Sequence, residues 1–497
     1  MRRHPMSRVL SWIGIGAVAA GLLAAVPATA SAASTLAWQP CGNDALDSGG
    51  FECATLTVPK DRRHPKAGTV TLAVIRHASV GTPDQRIGSL VFNPGGPGGS
   101  GVQSILPVWS LVPDEIKARF DLVSWDPRGV GSSVPALSDC ETPWPVRPAT
   151  GPVDWAKVAS GFRRTLAEAN AQCQAKNAEI VPFMGTNENV ADLDRLRAAL
   201  GESKLTYWGM SYGTRIGYAY AVTYPGNVRA IVLDGSIDPA STTLSLSEGG
   251  SAPDQAFGAF ADAYPLAGAQ IKMVLASLNK ATVPLPGGQR LTRWDVIDLI
   301  YGGIAQQGSY ADISTIAAVY YTTVFGTGEA QAQAAAIAKS LVGVARSQPN
   351  SNAGGVFSVV NCLDYAGRPT LRQAVAAITA QRRYGPVNGG STATAYSLGC
   401  SGLTVKPDPI PLITGQGPNV PLLILGASRD GSTIQTWTGR MSQAFPMSRT
   451  VTYAGGQHVT WGFAGSDCVD AVANAYVTTL ALPAMDVGCP NAYQPAS

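Results

Sequence analysis

The chain has 497 residues, of which 45% are apolar and 14% charged. It can therefore bury a large core, and its apolar content excludes a disordered chain. The formal net charge of +3 falls to zero without residues 1–32, which carry three arginines and no acid, so composition gives no reason to expect nucleic acid or an anionic membrane as partner.

The N-terminal segment has the parts of a secretory signal. Three arginines precede an apolar stretch from Leu10 to Val26, and small residues in Ala-x-Ala patterns follow it. This pattern predicts a cleaved signal peptide over residues 1–32 and a secreted, extracellular protein. A membrane anchor is the alternative, but the apolar stretch is short and ends at Pro27. We expect no membrane association once the signal is removed.

Six apolar runs are predicted strands, and helical patterns separate several of them. Alternating strands and helices indicate an α/β fold with a mostly parallel sheet covered on both faces. A ligand of such a sheet lies beyond the carboxyl ends of the strands. The predicted strands are Gly88–Phe92, Phe120–Trp125, Lys204–Trp208, Ala230–Leu233, Val420–Leu425 and Arg449–Tyr453, with helices at Val190–Leu200 and Tyr212–Tyr224.

Between Ser236 and about Gly415 the alternation gives way to an alanine-rich helical pattern, as in Asp312–Tyr321 and Glu329–Val344. We interpret this stretch as a cap inserted over the catalytic edge of the sheet. A separate helical domain without contact to the site is the alternative. The expected organisation is a core over residues 33–240, a mainly helical cap over residues 241–415, and the rest of the core over residues 416–497.

The most informative motif is Gly209-Met210-Ser211-Tyr212-Gly213, between a predicted strand and a predicted helix. A Gly-x-Ser-x-Gly sequence in this setting is typical of a nucleophile elbow, whose strained turn exposes the serine hydroxyl above the sheet. The glycines leave room for the neighbouring strand and helix. A chance match at an ordinary tight turn is the alternative, which the strand-turn-helix context disfavours.

A serine nucleophile needs a base, and His458 is the one histidine of four that follows Ser211. It lies in a loop after a predicted strand, as the serine, acid, histidine order of α/β-hydrolases requires. Asp430, one strand earlier, is the predicted acid that orients the imidazole. Asp234 is the competing candidate for that role. For both Asp430 and Asp234, the alternative is an aspartate that only caps a loop.

The oxyanion of the reaction needs two backbone N–H donors. Tyr212, the residue after the nucleophile, is predicted to supply one. Gly96 is predicted to supply the other, with Gly95 next, from the glycine-rich run of residues 93–101. A phosphate-binding loop is the rival interpretation, but the run lacks the Gly-Lys-Ser/Thr of a P-loop. The chemistry requires no metal and no organic cofactor.

Eight cysteines in an exported chain point to disulfide bonds. No Cys-x-x-Cys pattern or histidine-rich cluster indicates a zinc site. The pairing of sequence neighbours is our hypothesis, although other pairings remain open. It joins Cys41 to Cys53, Cys140 to Cys173, Cys362 to Cys400, and Cys468 to Cys489.

Together these motifs resemble the secreted tripeptidyl aminopeptidases of Gram-positive actinobacteria, in the prolyl-aminopeptidase family of α/β-hydrolases. The resemblance extends over nearly the whole mature chain. It implies an α/β-hydrolase fold, a triad of Ser211, Asp430 and His458, and a cap that excludes the interior of long chains. Gln457 departs from the glycine usual before the histidine. The runs that carry the resemblance begin at residues 38, 58, 93, 124, 192, 209, 361, 468 and 482.

Three further residues have weaker assignments. Asp126 and Arg128 are expected to be structural, organising a loop beside the elbow through an ion pair or hydrogen bonds. An exopeptidase must also bind the ammonium group of its substrate, for which a partly buried carboxylate is the natural partner. Asp364, in the predicted cap, is a candidate, but a structural role is the favoured interpretation of this residue.

We therefore expect a secreted serine exopeptidase, a monomer that releases short peptides, in particular tripeptides, from free peptide or protein N-termini. An extracellular carboxylesterase or lipase with the same triad is the second hypothesis. A non-catalytic binding protein on a hydrolase scaffold is the third. The number of residues released and the side-chain preference do not follow from the sequence.

Overall fold

A ten-stranded sheet lies at the centre of the computed structural model, which describes residues 36–347 and 352–495. The predicted signal peptide lies outside the described residues. In this sheet the strands over residues 39–40, 51–59 and 69–77 are antiparallel to their neighbours, and the other seven strands run parallel to one another. The order across the sheet is β1-β2-β3-β5-β4-β6-β7-β10-β11-β12, and β8 and β9 form a separate hairpin.

The strands are β1 Gln39–Pro40, β2 Phe51–Pro59, β3 Thr69–His77, β4 Gly88–Asn93, β5 Phe120–Trp125, β6 Leu205–Met210, β7 Val228–Asp234, β8 Val283–Pro284, β9 Arg290–Leu291, β10 Leu423–Ala427, β11 Arg449–Tyr453 and β12 Val487–Cys489.

The helices are α1 Asp44–Ser48, α2 Gly101–Leu111, α3 Asp114–Arg119, α4 Trp155–Lys176, α5 Thr186–Ala199, α6 Gly213–Thr223, α7 Ala252–Ala263, α8 Pro265–Leu278, α9 Arg293–Gly303, α10 Tyr310–Phe325, α11 Gly328–Ser347, α12 Asn352–Asp364, α13 Leu371–Gln381, α14 Gly389–Leu398, α15 Gln435–Ala444 and α16 Asp467–Thr479.

The mostly parallel sheet and its α/β-hydrolase architecture agree with the sequence prediction. Strands β4 and β6 are buried along their whole length, because helices pack on both faces of the sheet. Helices α5, α6 and α15 contribute to the hydrophobic cluster on one face, and α2, α3 and α16 to the cluster on the other. The predicted strand at Val420 begins three residues later, at Leu423. Pro421 explains the delay, since it has no N–H to donate to a strand ladder.

A second hydrophobic core lies in the cap and draws on two separate stretches of the chain. Helices α7 to α11, α13 and α14 contribute to it, as the helical pattern of this region predicts. Helix α4 also contributes through Trp155, Val158, Phe162 and Leu166, although it precedes the elbow in sequence. The sequence pattern did not predict this packing, because an amphipathic helix does not specify which core it joins.

Four disulfides join Cys41 to Cys53, Cys140 to Cys173, Cys362 to Cys400, and Cys468 to Cys489. These are the pairs of sequence neighbours, and no cysteine within the described ranges is free. The third disulfide ties the end of the cap helix α12 to the segment after α14. Within the described ranges, no helix combines the length and the hydropathy that a membrane crossing needs.

Candidate active site

Ser211 occupies the turn between β6 and α6 with a φ of +53°, a conformation that non-glycine residues rarely adopt. The turn is held by its backbone N–H, which donates to the Asp234 carbonyl oxygen over 2.8 Å. A Cβ at Gly209 would collide with the Gly213 carbonyl, and one at Gly213 would lie 2.7 Å from the Asn93 carbonyl oxygen. Only glycine fits at both positions, which explains the Gly-x-Ser-x-Gly pattern in steric terms.

His458 lies in the loop after β11, and its Nδ1 is 2.9 Å from each carboxylate oxygen of Asp430. Asp430 follows β10 and accepts hydrogen bonds from the N–H groups of Ser432 and Thr433, at 2.7 and 2.8 Å. These bonds aim the carboxylate at the imidazole. With Nδ1 committed to Asp430, the other ring nitrogen, Nε2, is free to act as a base.

One cavity of about 490 Å³, which we name the elbow cavity, brings the predicted residues together. Ser211, Tyr212, Gly96 and His458 all line it. Residues of the stretch 241–415, which we interpret as the cap, also line this cavity. They are Leu246, Gln306, Phe357, Asn361 and Tyr396.

The surroundings of His458 favour its charged form. Burial opposes protonation of the imidazole, but the Asp430 carboxylate, its hydrogen bond and the more distant Asp234 outweigh burial. The pKa of His458 therefore lies above the ordinary value of 6.5. An imidazole with a raised pKa accepts a proton more readily, which suits a general base.

The two predicted oxyanion donors, Gly96 and Tyr212, belong to segments that adjoin Ser211. The N–H of Tyr212 precedes α6, where the first helical turn leaves its amides without partners within the helix. The glycine-rich loop packs directly on the elbow, since a Cβ at Gly95 would lie 2.9 Å from the Ser211 Cβ and 3.0 Å from the Tyr212 nitrogen. Gly96, the next residue, lines the elbow cavity. Within the described ranges, no group of His, Cys, Asp and Glu side chains is arranged to hold a metal ion.

Comparison with known proteins identifies the family of this chain. The model of the α/β-hydrolase fold matches residues 88–275, and the model of the TAP-like proteins matches residues 385–489. A tripeptidyl aminopeptidase of Streptomyces coelicolor is 30% identical over 94% of this chain and 88% of its own. The chain belongs to the tripeptidyl aminopeptidase family.

Two further relatives match about half of the chain. The serine protease Hip1 of Mycobacterium tuberculosis is 39% identical over 48% of both chains. Carboxylesterase B of the same species is 30% identical over 50% of this chain and 51% of its own. As a member of the tripeptidyl aminopeptidase family, the chain is a serine hydrolase of the aminopeptidase type.

Asp234, the competing acid, is placed differently from Asp430. Its carboxylate accepts hydrogen bonds from the N–H groups of Thr460 and Trp461, at 2.9 to 3.0 Å. Burial raises the pKa of Asp234 to about 6, against the effect of these bonds. Asp234 therefore fixes the loop that follows His458, while Asp430 contacts the imidazole itself.

Asp126 and Arg128 have structural partners, but they do not pair with each other. Asp126 accepts from the Ser100 hydroxyl at 2.6 Å and so ties down the end of the glycine-rich loop. Arg128 is buried and binds Asp192 on α5, with Nε to Oδ2 at 2.5 Å and Nη2 to Oδ1 at 2.8 Å. Both residues therefore have the structural role that was expected. Their partners, Ser100 and Asp192, are distant in sequence, and the two residues form no local ion pair.

The position of Asp364 removes it as a direct partner of the substrate ammonium group. The carboxylate is fully buried and does not line the elbow cavity. It forms an ion pair with Arg215 of α6 at 3.0 Å and accepts from the Thr186 N–H and hydroxyl at 2.8 and 2.7 Å. The Thr186 hydroxyl also contacts the Tyr212 hydroxyl at 2.6 Å. Asp364 therefore links the cap to the residue after Ser211.

Three residues that were not predicted from the sequence, Ala305, Gln306 and Gln307, hold the loop that carries His458. The His458 N–H donates to the Ala305 carbonyl at 2.7 Å, and Gln457 Oε1 accepts from the Gln307 N–H at 2.9 Å. The Gln457 amide also donates to Gln306 Oε1 at 2.6 Å. The departure from glycine at position 457 was the available signal, since a side chain there must find partners.

Arg215 was also missed, although it is the one charged residue in an otherwise uncharged α6. It is buried, lines the elbow cavity and lies over the rings of Tyr212 and Tyr365, with centroids at 5.1 and 4.7 Å. A charge in a buried helix requires a partner, which was the signal in the sequence.

Proposed function

We propose that the protein is a secreted serine exopeptidase that releases short peptides, in particular tripeptides, from free N-termini through an acyl-enzyme. The observation that carries the proposal is that His458, which contacts Asp430, lines the same cavity as Ser211. The tripeptidyl aminopeptidase relative, which matches most of the chain, supports the length of the released peptide.

In the proposed mechanism Ser211 attacks the scissile carbonyl carbon. Its Oγ–C bond forms while His458 Nε2 removes the hydroxyl proton, and Asp430 stabilises the resulting imidazolium. The N–H groups of Gly96 and Tyr212 hold the oxyanion. The C–N bond then breaks, and His458 returns the proton to the leaving amine. A water molecule, deprotonated by His458, releases the short peptide and restores the serine.

The cap supports an exopeptidase rather than an endopeptidase. Gln306, Phe357 and Tyr396, from the stretch that we interpret as the cap, line the elbow cavity together with Ser211. A chain end can enter such a covered cavity, whereas the interior of a folded chain needs a cleft open at both sides. Export is supported by the signal-like N-terminus and the four disulfides, which persist in oxidising compartments.

A carboxylesterase is the second candidate, and the match to carboxylesterase B favours it over half of the chain. The deciding experiment compares a tripeptide anilide with a free amine, its N-acetylated form and a simple ester. A strong preference for the free amine supports the exopeptidase, and indifference to acetylation supports the esterase. A fluorophosphonate that labels wild-type protein but not Ser211→Ala excludes the third hypothesis, a non-catalytic scaffold.

A further inference from the structure

A second cavity, of about 1030 Å³, adjoins the elbow cavity and shares two aromatic residues with it. Phe357 and Tyr396 line both cavities, with ring centroids 5.5 Å apart. We name the second one the aromatic cavity, because Trp144, Phe162 and Trp294 are also in its wall. The two cavities are therefore adjacent at these rings.

The charges of the elbow cavity disfavour an ammonium group. Among the described residues that line it, none is Asp or Glu. Arg215 contributes a buried guanidinium to the wall, and His458 carries positive charge during the reaction. A free N-terminus is cationic at neutral pH, so its partner must lie beyond this cavity.

The aromatic cavity has two carboxylates in its wall, Asp295 and Asp298. The side chain of Asp295 is only 6% exposed, and it is engaged by Arg346 and by Thr292 at the start of α9. The side chain of Asp298 is 29% exposed. Asp298 is therefore the carboxylate that a ligand can reach.

Arg147 binds Asp298 but leaves it accessible. The two guanidinium nitrogens reach the two carboxylate oxygens at 3.0 and 2.6 Å. The Arg147 side chain is 8% exposed and lies over the Trp294 ring, 4.2 Å from its centroid. The exposed member of the pair is thus the acid, and a carboxylate accepts about four hydrogen bonds, of which Arg147 uses two.

We propose that Asp298 binds the α-ammonium group of the substrate, with the peptide passing Phe357 and Tyr396 from the elbow cavity into the aromatic cavity. This inference rests on the proposed exopeptidase function. It assigns the recognition of a free N-terminus to the cap helix α9. The span from Ser211 to Asp298 then sets how many residues are released, because an extended peptide advances about 3.5 Å per residue.

The test measures kcat and KM of wild type and Asp298→Asn on a tripeptide anilide with a free amine and on its N-acetylated form. Hydrogen bonds to charged groups are strong enough that we expect KM for the free amine to rise about 10-fold or more. The kcat and the activity on the acetylated form should stay within about twofold, since Asp298 does not line the elbow cavity in which the bonds change. An unchanged preference for the free amine in Asp298→Asn overturns the proposal.

Asp295→Asn is the matched control, because it alters the other carboxylate of the same helix. We expect it to retain the preference for the free amine, and the fluorophosphonate labelling of Ser211 should be normal in both variants. A wild type that does not discriminate against the acetylated peptide contradicts the exopeptidase function itself. If both the wild type and Asp298→Asn discriminate against the acetylated peptide, only the role of Asp298 is contradicted.

A second variant tests the proposed path of the peptide without changing a charged residue. Gly302 lies in α9, lines the aromatic cavity, and has no atom within 4 Å of a Cβ placed there. We expect Gly302→Trp to obstruct the cavity and raise KM for the tripeptide substrate at least 10-fold, while a single-residue ester is still hydrolysed. Gly439→Trp, in the core helix α15 with the same open surroundings, should leave both activities unchanged. Equal activity of the two tryptophan variants on the tripeptide overturns the proposed path.

Discussion

Asp364 on the cap helix α12 and Arg215 on the elbow helix α6 form a buried ion pair, with Oδ2 and Nη1 3.0 Å apart. Burial alone would raise the pKa of Asp364, and the pair with Arg215 acts against that rise. The pair joins the element that covers the site to the element that presents Ser211. Its contribution is therefore to the assembly of the site rather than to contact with substrate.

Removing this carboxylate should destabilise the protein. In Asp364→Ala the Arg215 charge remains buried without its partner, so we expect the free energy of unfolding to fall by roughly 3–5 kcal/mol. Urea unfolding followed by tryptophan fluorescence measures the change. Asp262→Ala breaks another cap–core ion pair, with Arg429, but a largely exposed one, and should cost at most about 1 kcal/mol. Similar losses in the two variants would contradict the structural role of Asp364.

Asp430→Asn should lower kcat on the order of 10⁴-fold, because the amide no longer holds the His458 tautomer or stabilises the imidazolium. Asp234→Asn should retain most of the turnover, since Asp234 contacts the backbone of Thr460 and Trp461. Steady-state kinetics of the two purified variants on one substrate decide between the acids. The opposite ranking would assign the catalytic role to Asp234.

The pH dependence of kcat/KM should report the raised pKa of His458. The base must be neutral to accept the serine proton, so activity rises as pH increases through this pKa, which lies above 6.5. In Asp430→Asn the main attraction that raises the pKa is lost, and the midpoint should move to lower pH. A pH–rate profile of each protein measures both midpoints, and a midpoint below 6.5 in the wild type would contradict the prediction.

Stability should depend on pH through Asp234. Its pKa is raised from 3.8 in the unfolded chain to about 6 in the folded protein. Between these values the folded state binds more protons, so the free energy of unfolding falls as pH rises from about 4 to about 6. The contribution is on the order of 2–3 kcal/mol. Chemical denaturation of wild type and Asp234→Asn across this pH range measures the contribution of Asp234. If the difference in the free energy of unfolding between the two proteins does not vary with pH, the prediction is wrong.

Gly95→Ala should impair turnover without a large change in ground-state binding. The new methyl group would press on Ser211 and the Met210 carbonyl and would displace the glycine-rich loop from the oxyanion site. We expect kcat to fall roughly 10²–10³-fold, the effect of losing one oxyanion donor. Gly42→Ala carries a similar backbone strain, with a φ of +72°, but meets no atom within 4 Å. It should keep full activity, and a comparable loss there would point to backbone strain instead.

Much of the fold could be predicted because its signals are local. Buried parallel strands appear as short apolar runs, and the observed β5 and β11 have the predicted bounds. The antiparallel strands β1 and β2 were not predicted. Strand β1 is an exposed pair of residues at the edge of the sheet, and β2 alternates buried and more exposed residues, so neither has a continuous apolar run.

The sequence by itself determined the elbow and the order of the candidate triad. Steric exclusion at Gly209 acts within the turn itself, where a Cβ would meet Gly213, and strand-end positions follow from chain order. Only the tertiary structure decided which carboxylates form ion pairs with arginines and which remain accessible to a ligand. Asp364 meets Arg215 across 149 positions and Asp298 meets Arg147 across 151. Such pairings depend on how the cap packs on the core, which no local pattern encodes.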